Sequence, residues 1–268
     1  MQSGAYRFSA YSCLGDVVAV GAAGGTVPVD GAYGGVWSMN PAQRVNNSFL
    51  GPWERPALAW IAARMPAAVV PDQLTAFGAF GAFLTATGYV LSHWSLTWLW
   101  LACVGLSINW FGDSLDGTLA RVRRIERPRY GFFIDHTSDL FCQVLTFVTL
   151  GVSPLAHFGA ACLGLITFLL AFVYSLITAH ARATMRITYF YFGPTEIRAL
   201  LLLGNVLTLA GGVVVLPWLP VLPGAGGITV HDFFIVLLSL AGLTTIVNVA
   251  IDDGRVLAAE DPPPTARP

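Results

Sequence analysis

Residues Trp98–Arg121 are WLWLACVGLSINWFGDSLDGTLAR, an almost wholly apolar run that ends in two carboxylates, a glycine and an arginine. Such a run is typical of a helix that crosses lipid, which needs roughly 20 residues to span about 30 Å of hydrocarbon. Carboxylates at the edge of such a helix are costly unless they are paired, hydrated or bound to a ligand. The stretch therefore indicates a membrane helix that carries a polar site at one end.

Composition extends this interpretation to the whole chain. Hydrophobic residues make up 55% of the 268 residues and charged residues only 11%, which is unusual for a soluble domain. Apolar stretches long enough to cross a bilayer recur along most of the sequence. They predict an all-α polytopic membrane protein with six transmembrane helices, at about residues 72–92, 94–112, 132–153, 157–180, 195–217 and 231–251.

Arginines predict how the chain is oriented. The sequence has 14 basic residues, all of them arginine. Ten of them lie between spans two and three, between spans four and five, or after span six: Arg121, Arg123, Arg124, Arg127, Arg129, Arg182, Arg186, Arg198, Arg255 and Arg267. The links on the opposite side contain none. The positive-inside rule then predicts that both termini and the polar site face the cytoplasm. The predicted location is the cytoplasmic (inner) membrane. The net charge of −1 gives no support for a nucleic-acid partner.

Three segments are predicted along the chain. Residues 1–52 form an N-terminal tail that is disordered or not native, with Met39 as an alternative start. Residues 53–255 form the membrane domain, and residues 256–268 a disordered C-terminal tail.

A short amphipathic helix is predicted at the start of the membrane domain. Residues 53–66 (WERPALAWIAARMP) have apolar positions that include Trp60 and Ile61, flanked by arginines, and Pro66 closes the segment. This pattern favours an interfacial helix on the cytoplasmic surface before span one.

Four carboxylates lie within 27 residues: Asp113, Asp116, Asp135 and Asp139. Spacings of three and four residues place each pair on one face of a helix, so antiparallel spans two and three would bring both pairs together. An all-oxygen ligand set favours magnesium, manganese or calcium over zinc. Magnesium retains coordination positions for phosphate oxygens, and two such ions could hold a phosphoryl group during its transfer.

Small residues accompany these acids. Gly117 and Gly131 remove side chains beside them, which lets a ligand approach the backbone, and Ala120 lies one turn beyond Asp116. Arg121 can pair with a phosphate or hold a carboxylate. The alternative is that the small residues serve only close packing of membrane helices.

Together the residues form the pattern Asp113-x-x-Asp116-Gly117-x-x-Ala120-Arg121, nine residues, then Gly131-x-x-x-Asp135-x-x-x-Asp139. This pattern resembles, without an omission, the signature of the CDP-alcohol phosphotransferase (phosphatidyltransferase) family, and the resemblance covers roughly residues 50–255. The resemblance implies an integral membrane transferase that moves a substituted phosphate from a CDP-linked alcohol to the hydroxyl of a second alcohol. This transfer would release CMP and would be a step of phospholipid biosynthesis.

The resemblance also implies roles for individual residues. Asp113, Asp116 and Asp135 would bind two magnesium or manganese ions. Asp139 would complete the metal site and serve as the base that takes the proton of the acceptor hydroxyl. The cytidine nucleotide would be contacted by residues of the same pattern: Asp113, Gly117, Ala120, Arg121 and Gly131. A homodimer is typical of the family.

The substrates are left open, although two segments bear on them. His136, directly after Asp135, and the Gly-Pro-x-Glu within FGPTEIR (Phe192–Arg198) resemble the choline/ethanolamine branch of the family. Gly193 and Pro194 are equally well explained as the start of a helix. The donor is thus expected to be CDP-diacylglycerol or a compound of the CDP-choline/ethanolamine type.

Two further features have alternatives of their own. Polar residues at the cytoplasmic ends of spans four and five form a candidate acceptor or phosphate site: Arg182, Arg186, Glu196 and Arg198. Its arginines could equally do no more than set the topology. Val70–Thr75 (VPDQLT) resembles the family's PNxxT segment, with Asp72 where asparagine is common.

Two other functions would also use acids near a membrane. An intramembrane prenyltransferase binds pyrophosphate through metals, but its Asp-rich motifs are separated by several helices. A cation transporter would account for the carboxylates but leaves Gly117 and Arg121 unexplained, and its acids are expected nearer the middle of the membrane.

Overall fold

The computed structural model describes residues 43–45, 49–182, 184–186, 193–216 and 227–262. The predictions for most of the N-terminal tail, including the alternative start at Met39, lie outside these residues. Within them the chain is mostly helical, in agreement with the predicted class.

Helices account for most of the described chain, with four short strands. The helices are α1 (Gly51–Arg64), α2 (Pro71–Leu91), α3 (Leu99–Arg123), α4 (Pro128–Val152), α5 (Phe158–Arg182), α6 (Pro194–Gly211) and α7 (Val230–Glu260). The strands are β1 (Gln43–Val45), which pairs in parallel with β2 (Thr184–Arg186), and β3 (Val215–Leu216), which pairs antiparallel with β4 (Ile228–Thr229). Among the described residues, α2, α5 and α7 are the three helices long and apolar enough to cross a membrane.

The third helix departs most from its predicted range. Span two was expected at 94–112, whereas α3 begins at Leu99 and continues to Arg123. It continues because Leu115 and Leu119, both fully buried and one turn apart, maintain an apolar face after the uniformly apolar run has ended. The acids of the motif therefore lie within the helix and not after it.

The last helix is also longer than predicted. α7 extends to Glu260, so the C-terminal tail that the sequence predicts from residue 256 is helical in its first five residues. Residues 263–268 of that tail lie outside the described part of the chain.

Glycines allow α2 and α3 to pack very closely. A Cβ atom added at Gly105 would lie 2.4 Å from the backbone nitrogen of Thr85, and one at Gly112 would lie 2.4 Å from the carbonyl oxygen of Leu74. Gly81 meets the same seam from α2. Because small residues let helix backbones approach, the seam brings the acids of α3 beside the first turns of α2.

The other helices are arranged around this pair. α1 packs on α3, α4 on α2, α5 on α4, α7 on α5, and α6 on α3. A buried cluster joins α1 to α2 and α3 near the acids and consists of Leu58, Ala62, Leu74, Leu115 and Leu119. A second cluster lies at the other ends of α2, α3 and α4, around Tyr89, Leu99 and Leu150.

The first helix turns its tryptophans outward. Leu58 and Ala62 of α1 are buried, whereas the side chains of Trp53 and Trp60 are 66% and 60% exposed. The guanidinium of Arg64 lies over the ring of Trp60, 4.0 Å from its centroid. A helix is thus present at Gly51–Arg64, two residues before the predicted 53–66, with Trp53, Trp60 and Arg64 on its exposed side; its place at a membrane interface stays a prediction.

Candidate active site

Three aspartates from two helices converge. Ligand oxygens of Asp113 on α3 and of Asp135 and Asp139 on α4 all lie within 4.8 Å of one another. Each side chain is partly buried, so each oxygen has lost part of its hydration. The distance is about twice a cation–oxygen bond of roughly 2.0–2.6 Å, so one hard divalent cation could contact all three after small side-chain movements.

The fourth predicted ligand, Asp116, points toward α2. Its side chain is buried, and Thr75 Oγ1 donates a hydrogen bond of 2.5 Å to Asp116 Oδ2. The backbone nitrogen of Gly117 donates to Asp116 Oδ1 at 2.5 Å. Asp116 is therefore held by two hydrogen bonds beside the converging aspartates and is not one of the three that share the 4.8 Å spacing.

Arg198 neutralises part of this negative charge. Its Nη1 donates to Asp113 Oδ2 at 2.6 Å, and its Nη2 lies 3.5 Å from Asp139 Oδ1. Only 5% of the Arg198 side chain is exposed. A buried guanidinium requires a carboxylate partner, so these contacts fix the first turns of α6 against α3 and α4.

The rest of the candidate acceptor set lies elsewhere. Arg182 forms an ion pair with Asp253 of α7, to which Tyr174 also donates at 2.6 Å. Glu196 accepts hydrogen bonds from the backbone nitrogens of Leu50 and Gly193 and so caps the N-terminus of α6. The side chain of Arg186 lies outside what the structure describes. Arg198 is thus the member of the set that the structure places against Asp113 and Asp139.

The predicted nucleotide-binding residues line one cavity with the aspartates. Gly117, Ala120, Arg121 and Gly131 all belong to its wall. A Cβ atom at Gly117 would lie 3.2 Å from Arg121 Nη1, so the glycine leaves room for that guanidinium. At Gly131 an added Cβ would meet nothing within 4 Å, so its backbone faces open space.

An ion pair forms part of the cavity wall. Arg127, in the link between α3 and α4, donates to Asp72 Oδ1 and Oδ2 at 2.7 and 2.5 Å, and its guanidinium lies 3.9 Å from the ring centroid of Tyr130. The hydrogen bonds with Asp72 raise the pKa of Arg127, which therefore remains charged. Asp72, which departs from the asparagine of the family segment, thus holds the start of α2 to this link.

The cavity itself is far larger than a typical ligand pocket. Its volume is 2010 Å³, against about 300–1,000 Å³ for usual small-molecule sites. From the aspartates it continues between α5, α6 and α7, past apolar side chains such as Phe172, Leu207 and Ile235. His136 lies on its wall, with its ring stacked 4.1 Å from that of Phe132. The site thus joins a polar end to a long apolar interior.

Comparison with known proteins gives this geometry a context. The sequence model of the CDP-alcohol phosphatidyltransferase family matches residues 68–247, which include Asp113, Asp116, Asp135 and Asp139. The chain belongs to the CDP-alcohol phosphatidyltransferase family. It is also similar to an uncharacterized protein of Aquifex aeolicus (strain VF5), 33% identical over 144 residues that cover 52% of this chain and 69% of the relative.

Family membership carries a coarse functional conclusion. Members of the CDP-alcohol phosphatidyltransferase family transfer a phosphate group from a CDP-alcohol to an alcohol acceptor in lipid synthesis, and they generally depend on a divalent metal. The apolar helices agree with a membrane protein. Membership favours this chemistry over the prenyltransferase and transporter alternatives.

Sequence reasoning missed residues that the structure places at the candidate site. Thr75 donates a hydrogen bond to Asp116, and the VPDQLT segment that contains it was the signal in the sequence. Glu54 lies on the cavity wall, and a single glutamate in a predicted surface helix carries no recognisable signal. In both cases the partner lies more than 40 residues away in sequence, at Asp116 for Thr75 and on α3 and α6 for Glu54.

Proposed function

We propose that this protein catalyses the metal-dependent transfer of a substituted phosphate from a CDP-linked alcohol to the hydroxyl of a second alcohol. The observation that carries the proposal is the convergence of Asp113, Asp135 and Asp139 within 4.8 Å at the polar end of the cavity. Acids this close repel one another, and a divalent cation is the partner that such an oxygen set suits best.

The proposed cofactor is a pair of divalent ions, either magnesium or manganese. Asp113, Asp135 and Asp139 would hold them, with Asp116 turning from Thr75 or sharing its oxygens. When bound, such ions would neutralise the pyrophosphate and stabilise the charge that develops on the transferred phosphate.

The cytidine nucleotide is proposed to bind beside the first pair of acids. Gly117 and Gly131 leave the backbone accessible, and the small side chain of Ala120 leaves space for a ligand on the same face of α3 as Gly117. Arg121, which lies 3.1 Å from Thr118 Oγ1, would exchange that contact for a phosphate oxygen. Asp113, one turn before Gly117 on the same face of α3, would also contact the nucleotide.

Asp139 is proposed as the base. Its carboxylate would take the proton of the acceptor hydroxyl while that oxygen forms a bond to the phosphorus that carries the donor alcohol. The bond from this phosphorus to the bridging oxygen breaks, and that oxygen leaves with CMP. Arg198, which faces both Asp113 and Asp139, would orient Asp139 and could bind an anionic acceptor, in keeping with its place in the candidate acceptor set.

Either CDP-diacylglycerol or a CDP-choline/ethanolamine compound remains the proposed donor. The apolar interior of the cavity between α5, α6 and α7 supports a lipid as one of the two substrates. His136 and the Gly193–Arg198 segment favour the aminoalcohol branch by resemblance, in which the lipid would be the acceptor.

The proposed setting is the cytoplasmic membrane. α2–α7 would form six spans. The aspartates and both termini would lie on the cytoplasmic side, because they lie at the same ends of the spans as the arginine-rich links, which the positive-inside rule assigns to the cytoplasm. α1 would lie at the interface, where the exposed Trp53, Trp60 and Arg64 suit the headgroup region. The family resemblance supports a homodimer.

A CMP-release assay tests the proposed function. The purified chain would be incubated with Mg²⁺ or Mn²⁺, with CDP-diacylglycerol, CDP-choline or CDP-ethanolamine, and with diacylglycerol or small polyols and their phosphates as acceptors. We expect CMP release from one donor–acceptor pair and its loss after chelation of the metal by EDTA. No release from any pair would count against the transferase, and full release in EDTA would remove the metal from the proposal.

A further inference from the structure

Glu54, in the first turn of α1, connects three helices beside the aspartates. Its Oε1 atom accepts hydrogen bonds from Trp110 Nε1 at 2.7 Å, from Ser114 Oγ at 3.1 Å and from Thr195 Oγ1 at 3.2 Å. Trp110 and Ser114 lie one turn apart on α3, and Thr195 lies in the first turn of α6. Because hydrogen bonds to an ionised acceptor are stronger than neutral ones, this one oxygen holds α3 and α6 at a defined separation.

The residues that Glu54 binds are neighbours of the site. Ser114 follows Asp113 directly, and Thr195 precedes Arg198 by almost one helical turn. Arg198 in turn donates to Asp113 at 2.6 Å. The contacts therefore form a closed circuit from Glu54 through α3 to Asp113, across to Arg198, and back through α6. A displacement of the Glu54 carboxylate would move both partners of the Asp113–Arg198 pair.

A second contact restrains the same circuit. Glu196 Oε1 accepts a hydrogen bond of 3.0 Å from the backbone nitrogen of Leu50, immediately before α1, and its Oε2 accepts one of 2.8 Å from Gly193. The Glu196 side chain is buried. The start of α1 is thereby fastened to the start of α6, so Glu54 meets Thr195 with little freedom.

We propose that Glu54 is a positioning residue of the active site, which sets the distance between Asp113 and Arg198 by holding Ser114 and Thr195. Its kinetic consequence rests on the proposed function, whereas its effect on α6 does not. Glu54 also lines the cavity, so α1 contributes to the site in addition to any attachment to the membrane surface.

Kinetics of Glu54→Gln test the proposal first. The substitution keeps the size of the side chain but removes its charge. We expect the kcat for CMP release to fall about 10-fold, as for other residues that support metal-binding carboxylates. The KM for the CDP-alcohol should change by less than about threefold, because the turn Gly117–Arg121 lies beyond Trp110 and Ser114, the residues of α3 that Glu54 binds.

Two variants sharpen this comparison. Thr195→Val should also lower kcat. The fold-loss of kcat in the double variant with Glu54→Gln should be smaller than the product of the two single fold-losses, because one substitution weakens and the other removes the same hydrogen bond. Glu260→Gln, an identical change at an exposed position near the end of α7, is the matched control and should leave kcat unchanged.

Hydrogen exchange provides a measurement that does not depend on activity. In Glu54→Gln, the amides of residues 195–200 in α6 should exchange about 10-fold faster, while those of α7 keep the wild-type rate. If the wild-type protein releases no CMP and this local acceleration is still seen, the proposed function fails and the positioning role stands. Unchanged kcat together with unchanged exchange would overturn the role. Uniform acceleration in all helices would also overturn it, because Glu54 would then be a general structural residue.

Discussion

Asp139 lies between neighbours of opposite charge. Asp113 and Asp135 converge on it, and Arg198 lies 3.5 Å from its Oδ1. The cation of Arg198 draws the carboxylate into a defined orientation, and the neighbouring carboxylates place like charge beside it. A carboxylate in this position can bind a metal, accept a proton, or do both, and substitution separates the two roles.

Asp139→Asn should separate proton transfer from binding, because asparagine has nearly the same shape but is not a base. At saturating Mn²⁺ we expect kcat to fall by about 100-fold or more, with the Kd for the CDP-alcohol within about threefold of the wild type. Single-turnover CMP release and equilibrium binding would be measured on the same preparation. Asp252→Asn is the control, since the Asp252 side chain is 73% exposed on α7. Unchanged turnover would remove Asp139 from the role of base.

Thr75 gives a second prediction at this scale, through Asp116. Thr75→Val keeps the side-chain shape but removes the hydroxyl that donates to Asp116 Oδ2 at 2.5 Å. The apparent affinity for Mg²⁺ or Mn²⁺ should weaken about 10-fold, as expected when a metal-binding carboxylate loses its orienting hydrogen bond. Titration of CMP release with metal measures this, and Thr75→Ser should restore most of the affinity. An unaltered metal titration in Thr75→Val would argue that Asp116 does not bind the metal.

Much of the site was predictable because helical spacing is local. The four-residue spacing of Asp135 and Asp139, together with an antiparallel partner, places these acids beside Asp113, as the structure shows. The partners of Asp116 and Arg182 were not predictable. Thr75 lies 41 residues before Asp116, and Asp253 lies 71 residues after Arg182, so tertiary packing decides both contacts.

Among the elements, the seam between α2 and α3 determines where the site forms. The ranges of α2 and α5 lie within two residues of those predicted from hydropathy, whereas α4 begins at Pro128, four residues before the predicted start, because proline favours the first turn of a helix. The extension of α3 to Arg123 does not follow from hydropathy, since it depends on burial of Leu115 and Leu119 against α1. Glycine supplies the remaining constraint by setting the distance between the backbones.

Gly105→Ala tests that constraint. The added methyl group would start 2.4 Å from a backbone nitrogen of α2, so α2 and α3 must separate. We expect a loss of about 1–3 kcal/mol in the free energy of unfolding, the usual cost of overpacking, seen as a lower Tm in detergent. Gly159→Ala in α5 is the matched control. Its Cβ would meet nothing within 4 Å, and alanine should be neutral or stabilise the helix by up to about 1 kcal/mol. Equal Tm values for the two variants would mean that the seam is not tight.

For the molecule as a whole, the six proposed spans depend on helices of two kinds. α2, α5 and α7 are apolar along enough of their length to cross a membrane on composition alone. α3, α4 and α6 carry the acids or Arg198 in their polar turns, which lowers their mean hydropathy. A polar end that lines a cavity is compatible with a membrane helix, because its charges face protein and water instead of lipid.

Side-specific labelling tests whether α3 crosses the membrane. The four native cysteines would be replaced by alanine, and a single cysteine introduced at Trp94, in the link after α2, or at Glu126, in the link between α3 and α4; both side chains are exposed. If α3 crosses the membrane, the two positions lie on opposite sides. A membrane-impermeant maleimide should then label Trp94→Cys from outside intact cells and Glu126→Cys only in inverted vesicles, because the arginine-rich link is retained in the cytoplasm. Labelling of both positions from one side would mean that α3 does not span, and the aspartates would then lie on a helix pair at the membrane surface.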